Sequence, residues 1–135
     1  MKKIILLTSA ILMISTVANA CGGITIKSGK YCLSKHRMNW YSAYAWCQAQ
    51  GMMMVDMESL CGSTSSCSAL KLSEDEQNKV TQNDGITNEY VWLTDSVSTT
   101  CAKHVHLMTG AVGPSHHGGR SSGCGHGNGC IAICK

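Results

Sequence analysis

The sequence predicts an α+β domain in which two helices pack with small antiparallel sheets and a long irregular loop region, stapled by disulfides. Three observations lead to this fold class. Two segments carry helix caps, and the first of them also has a helical spacing of apolar residues. Short runs rich in β-forming residues alternate with turn residues. Nine cysteines fall within a chain of 135 residues.

Residues 1–20 predict a secretory signal peptide that is not part of the fold. The segment begins with two lysines after Met, continues as an apolar run and ends on Ala18–Ala20, with the small residues that a signal peptidase accepts. The apolar run is too short for a permanent span. We expect an exported domain over residues 21–135, of bacterial type, that is periplasmic, at the cell surface or secreted. Lipidation of Cys21 is the alternative, and only then do we expect a membrane anchor.

The balance of charge excludes two classes of partner. Without the two lysines of the leader, nine basic side chains stand against eight acidic ones. A nearly neutral domain has no electrostatic surface for nucleic acid and no polybasic face for membranes. Nine cysteines in an exported domain of this size indicate a disulfide framework before they indicate metal chemistry, and an odd number leaves one sulfur outside the intrachain pairs.

The first half of the domain predicts a hairpin, a helix and a buried strand. "GITIKSGKYCL" alternates apolar and polar residues around a Ser-Gly turn. "NWYSAYAWCQAQG" has a good N-cap in Asn39 and a good residue for the helix end in Gly51. One face of this helix carries the residues Trp40, Ala43, Tyr44 and Cys47. The apolar run "MMMVDM" predicts a core strand, with Asp56 and Glu58 on its solvated edge.

The second half predicts one more helix and three further strand regions. "CGSTSSC" is a small polar loop whose ends could be joined. Ser73 and Glu76 stand in capping-box relation, so a helix begins there and stops before "NDG". "EYVWLTD" is a strand that places Trp92 in the core. "KHVHLMTGAV" reads as a hairpin, a glycine-rich region follows, and "CIAICK" is the last strand.

Four of these pieces, in this order, resemble the C-type lectin-like domain. They are "YCLSKHRMNWYSAYAWCQAQG", "SEDEQNKV", "YVWLTD" and "AICK". The resemblance covers most of residues 21–95 and the last few residues, whereas residues 96–129 match poorly. No single motif is specific, but the order of the four is. The resemblance implies the C-type lectin-like fold and a ligand surface in the irregular region.

The resemblance also implies a disulfide between Cys47 on the first helix and Cys134 on the last strand. As in the longer form of the family, Cys21 and Cys32 would clamp the N-terminal hairpin. A third disulfide, between Cys61 and Cys67, would close the polar loop and is particular to this chain.

Three cysteines then remain, and Cys101 is expected to pair with Cys124 or Cys130. Cys130 lies four residues before Cys134, so both would point to one face of a strand and crowd two bridges. This favours Cys124 and leaves Cys130 as the odd thiol. If Cys21 carried lipid, its partner would become available to Cys130.

The resemblance does not extend to the calcium and sugar motifs of the family. Those are Glu-Pro-Asn or Gln-Pro-Asp together with Trp-Asn-Asp, and the chain has none of them. Calcium needs several oxygen ligands, but no acidic residue follows Asp95 and none lies near Pro114, the single proline. We therefore expect that the domain needs no cofactor and that it binds its ligand without calcium.

Histidines are the candidate ligand-binding residues of the irregular region. His104 and His106 are two apart in a predicted strand and therefore share a face. The remaining candidates in that region are His116, His117, Arg120 and His126. As an alternative, the same five histidines would bind metal. Metal is the less favoured interpretation, because cysteines in an oxidising compartment are bridged and offer no thiolate.

No catalytic pattern is present. The chain lacks Gly-x-Ser-x-Gly, His-Glu-x-x-His, Cys-x-x-Cys and a phosphate-binding loop. The sequence therefore predicts a non-enzymatic, exported recognition module that binds a glycan or protein ligand through residues 96–129. Two alternatives stay open: a histidine-rich periplasmic metal-binding protein, and a structural or adhesin subunit.

Overall fold

The computed structural model describes residues 21–82, 90–119 and 129–135, so the predicted signal peptide lies outside the described residues. The described segments form an α+β domain, as the sequence predicted. Its elements, in chain order, are β1 (Ile24–Ile26), β2 (Tyr31–Met38), α1 (Trp40–Ala49), α2 (Met57–Cys61), α3 (Glu74–Gln82), β3 (Tyr90–Ser96), β4 (Cys101–His106), β5 (Val112–His116) and β6 (Cys130–Cys134).

The strands join in one six-stranded sheet of order β1-β2-β6-β3-β4-β5. The prediction of several small antiparallel sheets is therefore wrong for the described residues. β6 lies between β2 and β3, antiparallel to β2 and parallel to β3, where Val91 stands opposite Ile131. A pairing between strands so distant along the chain leaves no local sequence signal, because it is set by tertiary packing.

The two predicted hairpins are present. β1 and β2 pair through a turn in which Lys27, Ser28 and Gly29 have φ of 54°, 56° and 82°. β4 and β5 pair from Cys101↔His116 to Val105↔Val112. This second hairpin lies inside residues 96–129, so it makes a substantial part of the otherwise irregular region regular sheet.

α1 begins and ends where its caps predicted. The Asn39 side chain accepts the Ser42 N–H at 2.7 Å, and Gly51 follows the helix with φ of 70°, a conformation that glycine adopts without a Cβ penalty. Ala43 and Cys47 are buried against the sheet, while Trp40 and Tyr44 are half-buried at the first turns.

The methionine run is buried in part, as predicted, but it is not a regular strand. Met54 is buried and forms a single bridge to Cys134, and Met53 exchanges two backbone hydrogen bonds with Lys135 while its side chain is 65% exposed. The prediction of a solvated strand edge is wrong. Asp56 caps α2 by accepting the Ser59 N–H, and Glu58 lies in that helix. A good N-cap outweighs the weak strand signal of methionine here.

α3 is the predicted second helix, and its capping box is formed. The Glu76 N–H donates to Ser73 Oγ at 3.2 Å, and the Ser73 N–H donates to Glu76 Oε1 at 3.0 Å. The hydrogen bond from the Ser73 N–H is the main cause that lowers the pKa of the Glu76 carboxyl, and a bond from the Lys27 N–H to the same carboxylate lowers it further. The first turn of α3 is therefore held by its own capping bonds and by a hydrogen bond from the turn between β1 and β2.

Replacing Ser73 by alanine is expected to lower the free energy of unfolding by about 1 kcal/mol, the usual effect of losing an N-cap hydroxyl. Urea denaturation followed by circular dichroism measures it. Ser68→Ala, at an exposed serine outside any helix, is the matched control and should leave the midpoint unchanged. Equal midpoints for the two variants would contradict a stabilising role for the box.

The sheet separates two layers of apolar side chains. On one face, residues such as Leu33, Val105 and Ile133 pack with Met57, Leu60 and Val80 of the shorter helices. The opposite face packs against α1. There Trp92 is fully buried, as predicted, and its indole N–H donates to the Met38 carbonyl at 2.8 Å.

All three disulfides that the sequence analysis paired with one partner each are present: Cys21–Cys32, Cys47–Cys134 and Cys61–Cys67. Cys101 is also oxidised, and its predicted partner Cys124 lies outside the described residues. Cys130 is a buried thiol. Its Sγ lies 4.0 Å from the hydroxyl of Ser115 on β5.

Candidate functional site

Two of the predicted ligand-binding histidines lie in the interior. His104 and His106 share a face of β4, as the spacing predicted, but each is only 6% exposed. The ring of His104 bonds to the Ser115 hydroxyl and packs on Tyr90, with ring centroids 4.4 Å apart. His106 Nδ1 accepts the backbone N–H groups of Met108 and Thr109. Both rings therefore serve the packing of the β4–β5 hairpin.

The other pair lies where β5 ends. His116 Nδ1 accepts the Gly118 N–H at 2.9 Å, so this ring shapes the turn that follows the strand. The backbone of His117 connects three elements. Its N–H donates to the Thr100 carbonyl at 2.9 Å, and its carbonyl accepts the Trp40 N–H at 2.8 Å. The end of β5, the β3–β4 turn and the first residue of α1 are thus held together.

Aromatic rings gather at this junction. The Trp40 ring stacks on Tyr44 with centroids 5.5 Å apart and 21° between planes, and meets Tyr41 edge-on at the same separation. The imidazole of His117 lies 5.0 Å from Trp40 and 5.6 Å from Tyr41. We call these four residues, with the turn Val97–Thr100, the aromatic face.

The aromatic face is partly open to solvent and carries no carboxylate. Tyr41 is 59% exposed, although a bulky ring is more often covered. Trp40 is fixed from below, since its indole N–H donates to the Leu93 carbonyl at 2.9 Å. In the turn, the hydroxyls of Ser98 and Thr100 lie 3.4 Å apart, and all four residues are exposed. The result is an ordered ring surface beside a row of hydroxyls.

The described residues on either side of the glycine-rich segment lie near the aromatic face. A Cβ built on Gly119 would lie 3.5 Å from the Gly129 Cα and 3.6 Å from the Asn39 Cβ. Gly119 therefore lies beside both Gly129 and Asn39, the cap of α1. Two predicted site residues of this segment, Arg120 and His126, lie outside the described residues.

The main part of this face was not predicted from the sequence. The helical spacing predicts Trp40 and Tyr44 on the core stripe of α1, and no role was predicted for Tyr41. A signal was present, because Tyr41 falls off the stripe formed by Ala43 and Cys47, so its large ring had to point to solvent or to a partner.

Burial changes the titration of two histidines. Desolvation lowers the pKa of His106, and it is also the main cause that lowers the pKa of His117. Each neutral form is therefore favoured by folding. The contribution of these neutral rings to the free energy of unfolding is fully present above pH 6.5, the pKa of the imidazole in the unfolded chain. It is lost as the pH falls below 6.5 toward the lowered pKa of the folded state.

The described residues give weaker support for a metal site or for a site in a cavity than for the aromatic face. Within residues 21–82, 90–119 and 129–135, no three or more side chains of His, Cys, Asp or Glu form a group that could hold a metal ion. An open groove of about 400 Å³ lies elsewhere, beside the start of α2. It is lined by Met53, Met54, Val55, Asp56, Ser59 and Lys135. It contains none of the predicted site residues, and its acidic group, Asp56, is already engaged as a helix cap.

Comparison with known proteins adds no relative. No protein-family model matches the chain, and no curated protein matches it either. In the part of the chain that the structure describes, no helix is long and apolar enough to cross a membrane. The disulfides are compatible with an oxidising, extracellular environment.

Proposed function

We propose that this protein is an exported, non-enzymatic recognition module with a C-type lectin-like fold. It binds a glycan or protein ligand, without calcium, through residues 96–129 and the first turn of α1. Two features support the fold assignment: a disulfide joins the first helix to the closing strand, and a second one clamps the N-terminal hairpin. These are the two bridges that the sequence resemblance implied.

The observation that carries the proposal is the exposed aromatic face. Within region 96–129, His104 and His106 are buried, so a ligand has access instead to the end that holds His117 and the turn Val97–Thr100. A fixed aromatic ring gives contact area at little cost in side-chain entropy, which is why such residues anchor binding sites.

The chemistry of the face favours a glycan over a protein. A sugar ring has a face of C–H groups, which stacks on an aromatic ring, and an edge of hydroxyls, which need hydrogen-bond partners. Tyr41 supplies the exposed ring, and Ser98, Thr99 and Thr100 supply exposed hydroxyls in the turn whose Thr100 carbonyl accepts the His117 N–H. Few charges and several small polar groups around an apolar platform fit a neutral ligand.

Glycan arrays and pull-downs with residues 21–135 test the proposal. Each screen is run at pH 7.5 in calcium and again in EDTA. We expect binding that is equal in the two buffers. Binding that disappears in EDTA would contradict calcium independence, and submicromolar binding of zinc or copper without any glycan or protein ligand would favour metal handling instead.

Replacing Tyr41 by alanine is expected to weaken the best ligand of that screen about tenfold or more, because an exposed anchor ring is lost. Tyr41→Phe keeps the ring and should retain most of the affinity. Met53→Ala removes an equally exposed apolar side chain elsewhere and serves as the matched control. Isothermal titration measures all three, and an unchanged affinity for Tyr41→Ala would exclude the aromatic face as the binding surface.

A further inference from the structure

One nitrogen of His117 is closed off inside the aromatic face. The imidazole packs against Trp40 and Tyr41, at 5.0 and 5.6 Å between ring centroids. In this position Nδ1 is buried and makes no hydrogen bond. A buried polar atom without a partner is rare in folded proteins, and it calls for a physical explanation.

The charge state of the ring supplies that explanation. A hydrogen bond to the backbone of Thr99 favours a ring N–H, and since Nδ1 makes no bond we assign this proton to Nε2. Nδ1 of the neutral ring then carries a lone pair at a buried point without a hydrogen-bond donor. Protonation would place an N–H carrying positive charge at the same buried point, which is far less favourable.

Burial lowers the pKa of His117 more than the hydrogen bond to the Thr99 backbone raises it, and the other groups around the ring do not offset the effect of burial. From α1 it faces the rings of Trp40 and Tyr41, which carry no carboxylate. The turn Val97–Thr100 contains no titratable side chain. From its own strand end, the neighbouring His116 opposes a second positive charge, and it lowers the pKa of His117 together with burial.

We propose that His117 makes the aromatic face proton-sensitive: the neutral ring holds Trp40 and Tyr41 in place, and the protonated ring turns Nδ1 to water and leaves them. The loss of order at the aromatic face below neutral pH follows from this contact alone. Its consequence, release of a ligand in mild acid, rests on the function proposed above.

The test is an NMR titration of residues 21–135 from pH 7.5 to 5.0, without any ligand. We expect the ring resonances of Trp40 and Tyr41 to shift together with those of His117, at a midpoint below the ordinary imidazole pKa of 6.5. His117→Gln should abolish the shift. His116→Gln, the matched control, should keep it and raise its midpoint, because a repelling charge is removed.

Three results would overturn the proposal. The first is a titration of His117 during which Trp40 and Tyr41 do not move, and the second is a shift that persists in His117→Gln. The third needs only the natural chain, in case the variant does not fold: a cross-relaxation signal between the rings of His117 and Trp40 that survives at pH 5.0. The first and the third mean that protonation of His117 leaves the face intact, and the second means that another group causes the shift.

Ligand binding separates this inference from the proposed function. If the arrays find no ligand at pH 7.5, the proposed function fails. The ring titration, which needs no ligand, still tests the proton sensitivity of the aromatic face. If a ligand is found, we expect its affinity to fall about tenfold or more between pH 7.5 and 5.0 in the natural chain, and much less in His117→Gln. Equal losses in both proteins would contradict a role of His117 in release.

Discussion

Replacing Cys47 and Cys134 together by alanine is expected to lower the free energy of unfolding by about 4–5 kcal/mol. The two residues are 87 positions apart, and a bridge across so long a loop removes much of the entropy of the unfolded chain. Both side chains are also fully buried between α1 and β6, so their sulfurs contribute to packing. A loss of this size is a large share of the stability of a small domain.

Urea denaturation of the natural chain and the double variant measures the difference. Cys61→Ala with Cys67→Ala is the matched control, because that pair is only 6 positions apart and the same entropy argument gives about 2 kcal/mol. We therefore expect the long bridge to matter about twice as much as the short one. The reverse order would show that strain or packing, rather than loop closure, decides the contribution of these bridges.

Much of the fold could be predicted from local chemistry. Asn39 and Gly51 mark the ends of α1, and Ser73 with Glu76 marks the start of α3, because capping is a matter of hydrogen bonds within three or four residues. The two hairpins followed from alternation and turn residues in the same way. These features need no knowledge of what lies across the domain.

Long-range pairing could not be predicted in this way. The position of β6 between β2 and β3 joins segments that are about a hundred residues apart on one side, and it turns the expected small sheets into one. The strand assigned to Met52–Met54 failed for a related reason. Methionine is apolar but has no strong preference for strands, and the side chain of Asp56 capped a helix that begins directly after it.

The candidate site was predicted only in part. His116 and His117 lie in the region that the sequence analysis favoured, but His104 and His106 point into the interior, where burial depends on the partner strand and not on spacing. The aromatic face was missed because Trp40, Tyr41 and His117 are brought together by contacts between α1 and the end of β5. Sequence spacing carries no information about such a tertiary contact.

Replacing Trp92 by alanine is expected to cost about 3–5 kcal/mol, the usual range for deleting a buried tryptophan. The ring is fully buried at the centre of the layer beneath α1. Trp46→Ala is the matched control, because Trp46 lies on α1 itself, is half-buried and leaves a smaller cavity. Thermal or urea unfolding should rank the two variants clearly, and equal losses would contradict a central role of Trp92.

Trp92→Phe separates packing from hydrogen bonding. It retains a buried ring but removes the donor to the Met38 carbonyl, which should cost about 1–3 kcal/mol because that carbonyl would lose its partner. Met38 directly precedes Asn39, the cap of α1, so this bond also fixes the backbone on which Trp40 and Tyr41 are carried. We therefore expect Trp92→Phe to shift the ring resonances of Tyr41 and His117 at pH 7.5, whereas Trp46→Phe should not. If both variants leave those resonances unchanged, the aromatic face is held by its own contacts and not by the core beneath it.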